Sequence, residues 1–261
     1  MTIVKHELRQ QKITFLVWTG AIAFLLAACV FLYPEIKEEM GSMQDMFASM
    51  GAFSAAFGLD KLNFGTFVGY YAIECGNVLG LGGAFFAALL AIGSLSKEEN
   101  GNTAEFLLTH PVSRQRVITS KLISLATLIT AMNLIIFAVS MLAAIIVGES
   151  VPFKEILLIH LAFYIMQLEL SGICFAFSAF LSKGGIGIGL GLAATSYILS
   201  LISKLTKSME FLKYITPFGY CDGAYIVNNG HIDGLLLIIA LLICTASIFL
   251  AYYKYTKKDI K

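Results

Sequence analysis

The sequence predicts an all-α membrane protein with six transmembrane helices, and three observations predict it. Of the 261 residues, 58% are hydrophobic and only 13% are charged, with a mean hydropathy of +0.81; a soluble domain carries about 25% charged residues. Six apolar stretches, at 13–33, 76–95, 122–147, 156–181, 186–203 and 235–253, approach or exceed membrane length, because a helix crosses the hydrocarbon core with about 20 apolar residues. The third observation is that basic residues collect at alternate ends of those stretches. Lys5, Arg9 and Lys12 precede the first; Lys97, Arg114, Arg116 and Lys121 separate the second from the third; Lys254, Lys257, Lys258 and Lys261 close the chain. With an even number of spans these groups share one side, and basic residues at span ends mark the cytoplasmic side. The segment 34–63 falls on the other side. It holds Glu35, Glu38, Glu39, Asp45 and Asp60 against Lys37 and Lys61, a net charge of −3. The expected topology is multi-pass with both termini cytoplasmic.

The whole of 1–261 reads as one transmembrane domain, because the intervals between spans are too short to hold a catalytic domain. The formal net charge is +1, and the basic residues are dispersed rather than gathered into a face, so no nucleic-acid partner is expected. Residues 1–12 are polar with apolar Ile3, Val4 and Leu8, the pattern of a short helix lying in the interface. The first apolar stretch is longer than the apolar core of a signal peptide, so a cleaved leader is not expected. Residues 34–75 form an expected outer segment. Within it Met43, Met46, Phe47, Met50, Phe53 and Phe57 recur at helical spacing, suiting either a packed helix or an adaptable apolar contact surface. Residues 64–95 would measure about 48 Å as a helix, too long for one crossing. Their first part is therefore expected outside the membrane or in its interface.

Residues 96–121 are the long polar run between two charge-free spans. A charged, glycine-broken segment in that position must lie in water. The fifth span opens on Gly185, Gly187, Gly189 and Gly191, which make two small-xxx-small pairs for close helix packing. Residues 204–233 contain Pro217, Gly219, Gly223 and the Asn229-Gly230 turn signal. A short span followed by a proline-broken apolar segment predicts a re-entrant passage, tolerated only where protein covers the backbone.

Candidate reactive groups are few. His6, His110, His160 and His231 lack metal-ligand spacing, and the five cysteines contain no C-x-x-C. No G-x-x-x-x-G-K-[ST], G-x-S-x-G or H-E-x-x-H occurs, so the chain shows no nucleotide-binding or hydrolytic motif and no metal site. Glu74 lies near the outer end of its span. Glu169 lies near the middle of the fourth, between Gln167 and Ser171. A charge at mid-membrane costs roughly 2.5–3.5 kcal/mol on insertion scales, so Glu169 is expected to face protein or a hydrated translocation path. It is the translocation-path candidate.

The polar run carries Glu98-Glu99, Gly101, Thr103, Glu105-Phe106-Leu107-Leu108 and Pro111-Val112-Ser113-Arg114, with Lys121 opening the next span. With Tyr33-Pro34, Thr216-Pro217-Phe218 and the lysine-rich ending, these residues resemble the permease subunits of ABC-2 type transporters. Asn102 separates Gly101 from Thr103, a departure from the commonest Gly-Thr form. The resemblance implies that 96–121 holds a cytoplasmic coupling helix seated in a groove of a separate ABC ATPase. Glu98, Glu99, Gly101, Thr103, Glu105, Phe106, Leu107, Leu108, Pro111, Val112, Ser113 and Arg114 are then the ATPase-coupling residues. Elementary chemistry agrees. Gly101 can end a helix, Thr103 can cap the next, and an exposed Phe-Leu-Leu run calls for a partner. By resemblance the chain is a permease of the bacterial cell membrane, paired with a second permease copy or a related chain and with two cytoplasmic ATPases. Those ATPases, not this chain, would hold ATP and Mg. Peptide, antibiotic or lipid-like cargo is the expectation. The alternatives are a secondary transporter, for which no internal repeat is evident, and a membrane partner of an ATPase that moves nothing.

Overall fold

The computed structural model describes residues 2–59, 61–63, 65–97, 101, 113–182 and 184–258, without the side chains of Thr2 and of 40–49. Among them are six helices long and apolar enough to cross a membrane and no strand. Helix α1 spans Thr2–Gln10, α2 Lys12–Ser49 and α3 Ala52–Phe57. The second crossing is composite: α4 (Phe67–Cys75), one π-helical stretch (Gly76–Leu81) and α5 (Gly82–Ile92). Then come α6 (Arg114–Val147), α7 (Phe153–Phe180), α8 (Ile186–Ser203), a 3₁₀ helix (Lys207–Tyr214), α9 (Gly223–Asn229) and α10 (Gly234–Lys257). The protein is an all-α membrane protein.

Local chemistry explains most boundaries. Thr66 caps α4 through Gly69 N–H, Ser113 caps α6 through Arg116 N–H, and Asp233 caps α10 through Leu235 and Leu236 N–H. Gly148, at φ 78°, ends α6 in a left-handed turn that other residues rarely adopt.

Three boundaries differ from the sequence expectation. Tyr33-Pro34 does not close the first span; α2 runs through Pro34 to Ser49. Contacts on both sides of the proline hold it. The Tyr33 hydroxyl donates to Gly65 O at 3.0 Å, and Lys37 pairs with Glu149 at 2.8 Å. The second crossing begins at Phe67, nine residues before the Gly76 start read from the sequence, and Phe67–Ile92 is one continuous crossing-length helical unit. Its first turns are buried, with Phe67 and Tyr70 packed against the Tyr33 ring. Helix α6 starts at Arg114 rather than near 122. Its first two turns, carrying Arg116 and Lys121, extend the span beyond its charge-free part.

The composite α4–α5 crossing and α7 form the centre of the bundle, and the other spans surround them. Phe86, Ala87, Ala88, Ala91 and Ile92 of α5 are wholly buried. Large apolar side chains point outward from the peripheral spans, including Ile13 and Phe24 on α2 and Leu241 and Phe249 on α10. That inverted pattern suits lipid as solvent. Of the Met/Phe stripe, Met50 and Phe53 are exposed and the Phe53 ring packs against Phe57 in a tilted pair, centroids 4.9 Å apart; the side chains of Met43, Met46 and Phe47 lie outside the described residues.

Both termini meet at one end of the bundle, here the terminal end. Arg114 on α6 reaches the last turn of α10, and Lys258 donates to Leu181 O after α7 at 2.7 Å. The far end holds 203–234 and the Lys37–Glu149 pair.

Only one of the two glycine pairs packs. A Cβ on Gly185 would stand 2.6 Å from Leu181 Cδ1, and one on Gly189 2.9 Å from Ile92 Cγ2, whereas Gly187 and Gly191 face open space. Gly185 and Gly189 thus let α8 approach α5. Gly189→Ala should lower the thermal stability of the purified protein by about 1–3 kcal/mol through overpacking, whereas Gly191→Ala should leave it unchanged. Thermal unfolding of the two variants in one detergent checks this.

Candidate functional site

The terminal end concentrates the charged chemistry of the chain. Helix α1 lies against α6 and turns Glu7 inward, where that residue is buried. Its two carboxylate oxygens take different partners. Oε1 accepts from Lys121 Nζ at 3.1 Å, and Oε2 accepts from Lys97 Nζ. Lys97 also donates to Gln10 Oε1 at 2.7 Å, and Lys121 to Ser94 O at 2.7 Å. Lys121 is only 1% exposed. Burial raises the Glu7 carboxyl pKa, but the ammonium groups of Lys121 and Lys97 with their hydrogen bonds outweigh it and hold the pKa below the usual carboxylate value. Removing one partner from such a buried cluster costs roughly 3–5 kcal/mol.

Lys97 stands immediately before residues 98–112, and Lys121 follows them on α6. The sequence reading counted both as loop charges. The structure places them in a buried ion cluster with Glu7, a residue the sequence reading did not single out. Its weak signal was an acid four residues after Ile3 on a helix whose other charges, Lys5 and Arg9, are basic.

Of the predicted coupling residues, Gly101, Ser113 and Arg114 are described. Gly101 N–H donates to Lys97 O at 2.9 Å. Ser113 caps α6. Arg114 does not stand free for a partner: its Nη1 donates to the carbonyls of Tyr255, Thr256 and Lys258 at 3.3, 3.2 and 2.5 Å. A cation on the open carbonyls of a helix C-terminus satisfies acceptors that the helix leaves unpaired. Glu98, Glu99, Thr103, Glu105, Phe106, Leu107, Leu108, Pro111 and Val112 lie outside the described residues.

Glu169 is buried on α7, sixteen residues beyond Phe153 and eleven short of Phe180. Its Oε2 accepts from the Tyr220 hydroxyl at 2.7 Å. Beside it, Cys221 Sγ–H donates to Ala162 O at 3.4 Å. The segment between the 3₁₀ helix and α9 thus folds back along α7 to Glu169, with Phe218, Tyr220 and Cys221 buried. The Thr216 hydroxyl anchors it by donating to Ser196 O at 2.6 Å. On its other side Tyr220 lines a cavity of about 460 Å³ with Lys61, Lys204, Lys207, Lys213 and Asp233. Glu169 therefore sits one side chain away from this far-end cavity. Glu74, on α4, faces Cys29 at 3.6 Å and is half-buried.

A second buried polar layer joins the central spans. Asn133 Nδ2 donates to Gln167 Oε1 at 2.6 Å, and the Tyr71 hydroxyl lies 2.6 Å from His160 Nε2. Gln167 packs directly against Gly83, where a Cβ would stand 2.1 Å from Nε2.

Six helices long and apolar enough to cross a membrane make the chain a multi-pass membrane protein, with a buried acid one side chain from a far-end cavity. The family model of the ABC-2 family transporter protein matches residues 1–260, and the chain belongs to that family. It is an ABC-2 type permease, and the family as a whole works with ABC ATPases. No curated protein matches the chain.

Two expectations follow. Glu7 has a lowered folded-state pKa, so its contribution to docking α1 is fully present above the usual carboxylate value and is lost as pH falls through the lowered one. A spin label at Arg9 should report docked α1 at neutral pH and release only below about pH 4.5, the ordinary value. Tyr220→Phe should destabilise the protein by about 1–3 kcal/mol, because it leaves the buried Glu169 without its donor. Glu169→Gln should cost less, since an amide oxygen still accepts from Tyr220. Thermal unfolding of both variants decides the order.

Proposed function

We propose that this permease is the membrane-spanning half of an ATP-driven exporter. A separate cytoplasmic ABC ATPase, two copies per assembly, engages the segment 98–112 and drives it. A second permease copy or a related chain completes the transmembrane path. Both termini and 96–121 lie in the cytoplasm of a bacterial cell, and 34–63 lies outside.

The observation that carries this reading is the convergence at the terminal end. The stems of the 98–112 segment, the N-terminal helix and the end of α10 are joined there by Glu7, Lys97, Lys121 and Arg114. A force applied to the segment therefore reaches α5, α6 and α10 directly. The Phe106-Leu107-Leu108 run supplies apolar area for a protein groove. Glu105 and neighbouring charges would select the partner more than strengthen it.

The far end supports the transport half of the reading. Residues 204–233 would be a re-entrant passage, covered by α7 and α8 and latched at Glu169 by Tyr220. Opening that latch would join the far-end cavity to the interior. An amphipathic or hydrophobic cargo, whether peptide, antibiotic or lipid-like, suits spans whose outer faces are apolar and a cavity mouth that is charged. The chain itself breaks no bond and would bind no cofactor; ATP and Mg would reside on the partner.

Phe106→Ala combined with Leu108→Ala should weaken ATPase binding or coupling by about 1–3 kcal/mol per buried side chain, while the spans insert normally. Gln115→Ala, on the exposed face of α6, should change neither. Co-purification with the ATPase and ATP-driven uptake into inverted vesicles check both variants. Normal binding and normal transport by the double variant would remove 98–112 as the coupling element.

A further inference from the structure

One carboxylate holds three separate elements together at the terminal end. Glu7 Oε1 takes Lys121 on α6 and Oε2 takes Lys97 at the end of the second crossing. Lys121 also reaches back to Ser94 O, and the Ser124 hydroxyl lies 3.5 Å from Val4 O. The two lysines are the stems of the 98–112 segment, one on each side. We propose that Glu7 is a positioning residue for that segment: it binds α1 to both stems, so that α1 and the stems move as one body. Where the partner is concerned, this rests on the ATPase reading above; the contact itself does not.

The geometry makes the role specific to a glutamate. An ionised carboxylate has two acceptor oxygens of equal charge, and here each serves one stem. Glutamine keeps one good acceptor and turns an amide donor toward an ammonium group. Aspartate keeps the charge but withdraws it by one methylene, so it no longer spans both stems. Among the described side chains of α1, the other polar residues, Lys5, His6, Arg9 and Gln10, are exposed. The inward grip of α1 therefore depends on Glu7, with the Lys97–Gln10 bond at its edge. Held in this way, α1 is a lever fixed to protein rather than a float on lipid.

The test has two readouts. In the purified permease alone, hydrogen exchange of peptides covering 98–112 should rise about fivefold or more in Glu7→Gln and Glu7→Asp, with exchange of 186–203 unchanged. In the complex with the ATPase, both variants should bind with unaltered affinity, yet transport per ATP hydrolysed should fall about fivefold. The exchange of charges Glu7→Lys with Lys121→Glu keeps one acid and two bases in the cluster and should restore both readouts in large part. Unchanged exchange at 98–112 in folded Glu7→Gln and Glu7→Asp overturns the proposal, as does unchanged transport per ATP in a complex that assembles. If the single variants do not fold, the charge-exchanged protein decides: normal exchange at 98–112 supports the proposal, whereas raised exchange or failure to fold makes Glu7 a structural residue and overturns it. If the unmodified permease binds no ABC ATPase, the functional reading fails instead, and the exchange measurement still judges Glu7.

Discussion

A carboxylate removed from water must find its charge partners within the protein, and at the terminal end Glu7 finds two. That constraint organises much around it. Lys121 is almost completely buried because Glu7 and Ser94 O receive it. Helix α1 is held to α6 because Glu7 faces inward. The polar segment leaves and re-enters the bundle at Lys97 and α6. Arg114 then extends the same logic to the other terminus by covering the last carbonyls of α10, and Lys258 ties that terminus to the end of α7.

The middle of the bundle is built differently. Helix α5 is small-sided, and Gly83, Gly185 and Gly189 allow Gln167 and α8 to approach it within contact distance. Close packing of this kind resists bending but tolerates rigid sliding. The polar contacts that cross it are few and discrete, chiefly Asn133–Gln167, Tyr71–His160 and Tyr220–Glu169. A transporter needs elements with two arrangements, and isolated polar latches within an apolar bundle are suited to define them.

The spans were legible in the sequence because length and hydropathy determine crossing in a solvent that offers no hydrogen bonds. Their ends were less so. Pro34 looked like a stop, but tertiary contacts at Tyr33 and Lys37 carry α2 past it. The start of the second crossing lay hidden in Tyr70 and Tyr71, whose polar hydroxyls mask large buried rings. Lys121 read as a loop charge because its partner lies 114 residues away in sequence. The same distance effect hid Tyr220 from Glu169, 51 residues earlier. Glu169 itself was legible, since a lone acid within an apolar stretch must meet protein or water. Of the glycine pairs, periodicity could not tell which face would meet α5.

The central claim is that 98–112 is where an ABC ATPase grips this permease. The most direct measurement is site-specific photo-crosslinking in living cells, with a photoreactive phenylalanine analogue in place of Phe106 and the adduct identified by mass spectrometry. The proposed function predicts an adduct with an ABC ATPase subunit, lost when the analogue is moved to the exposed position of Gln115. Adducts confined to lipid, or equal adducts from both positions, would contradict it.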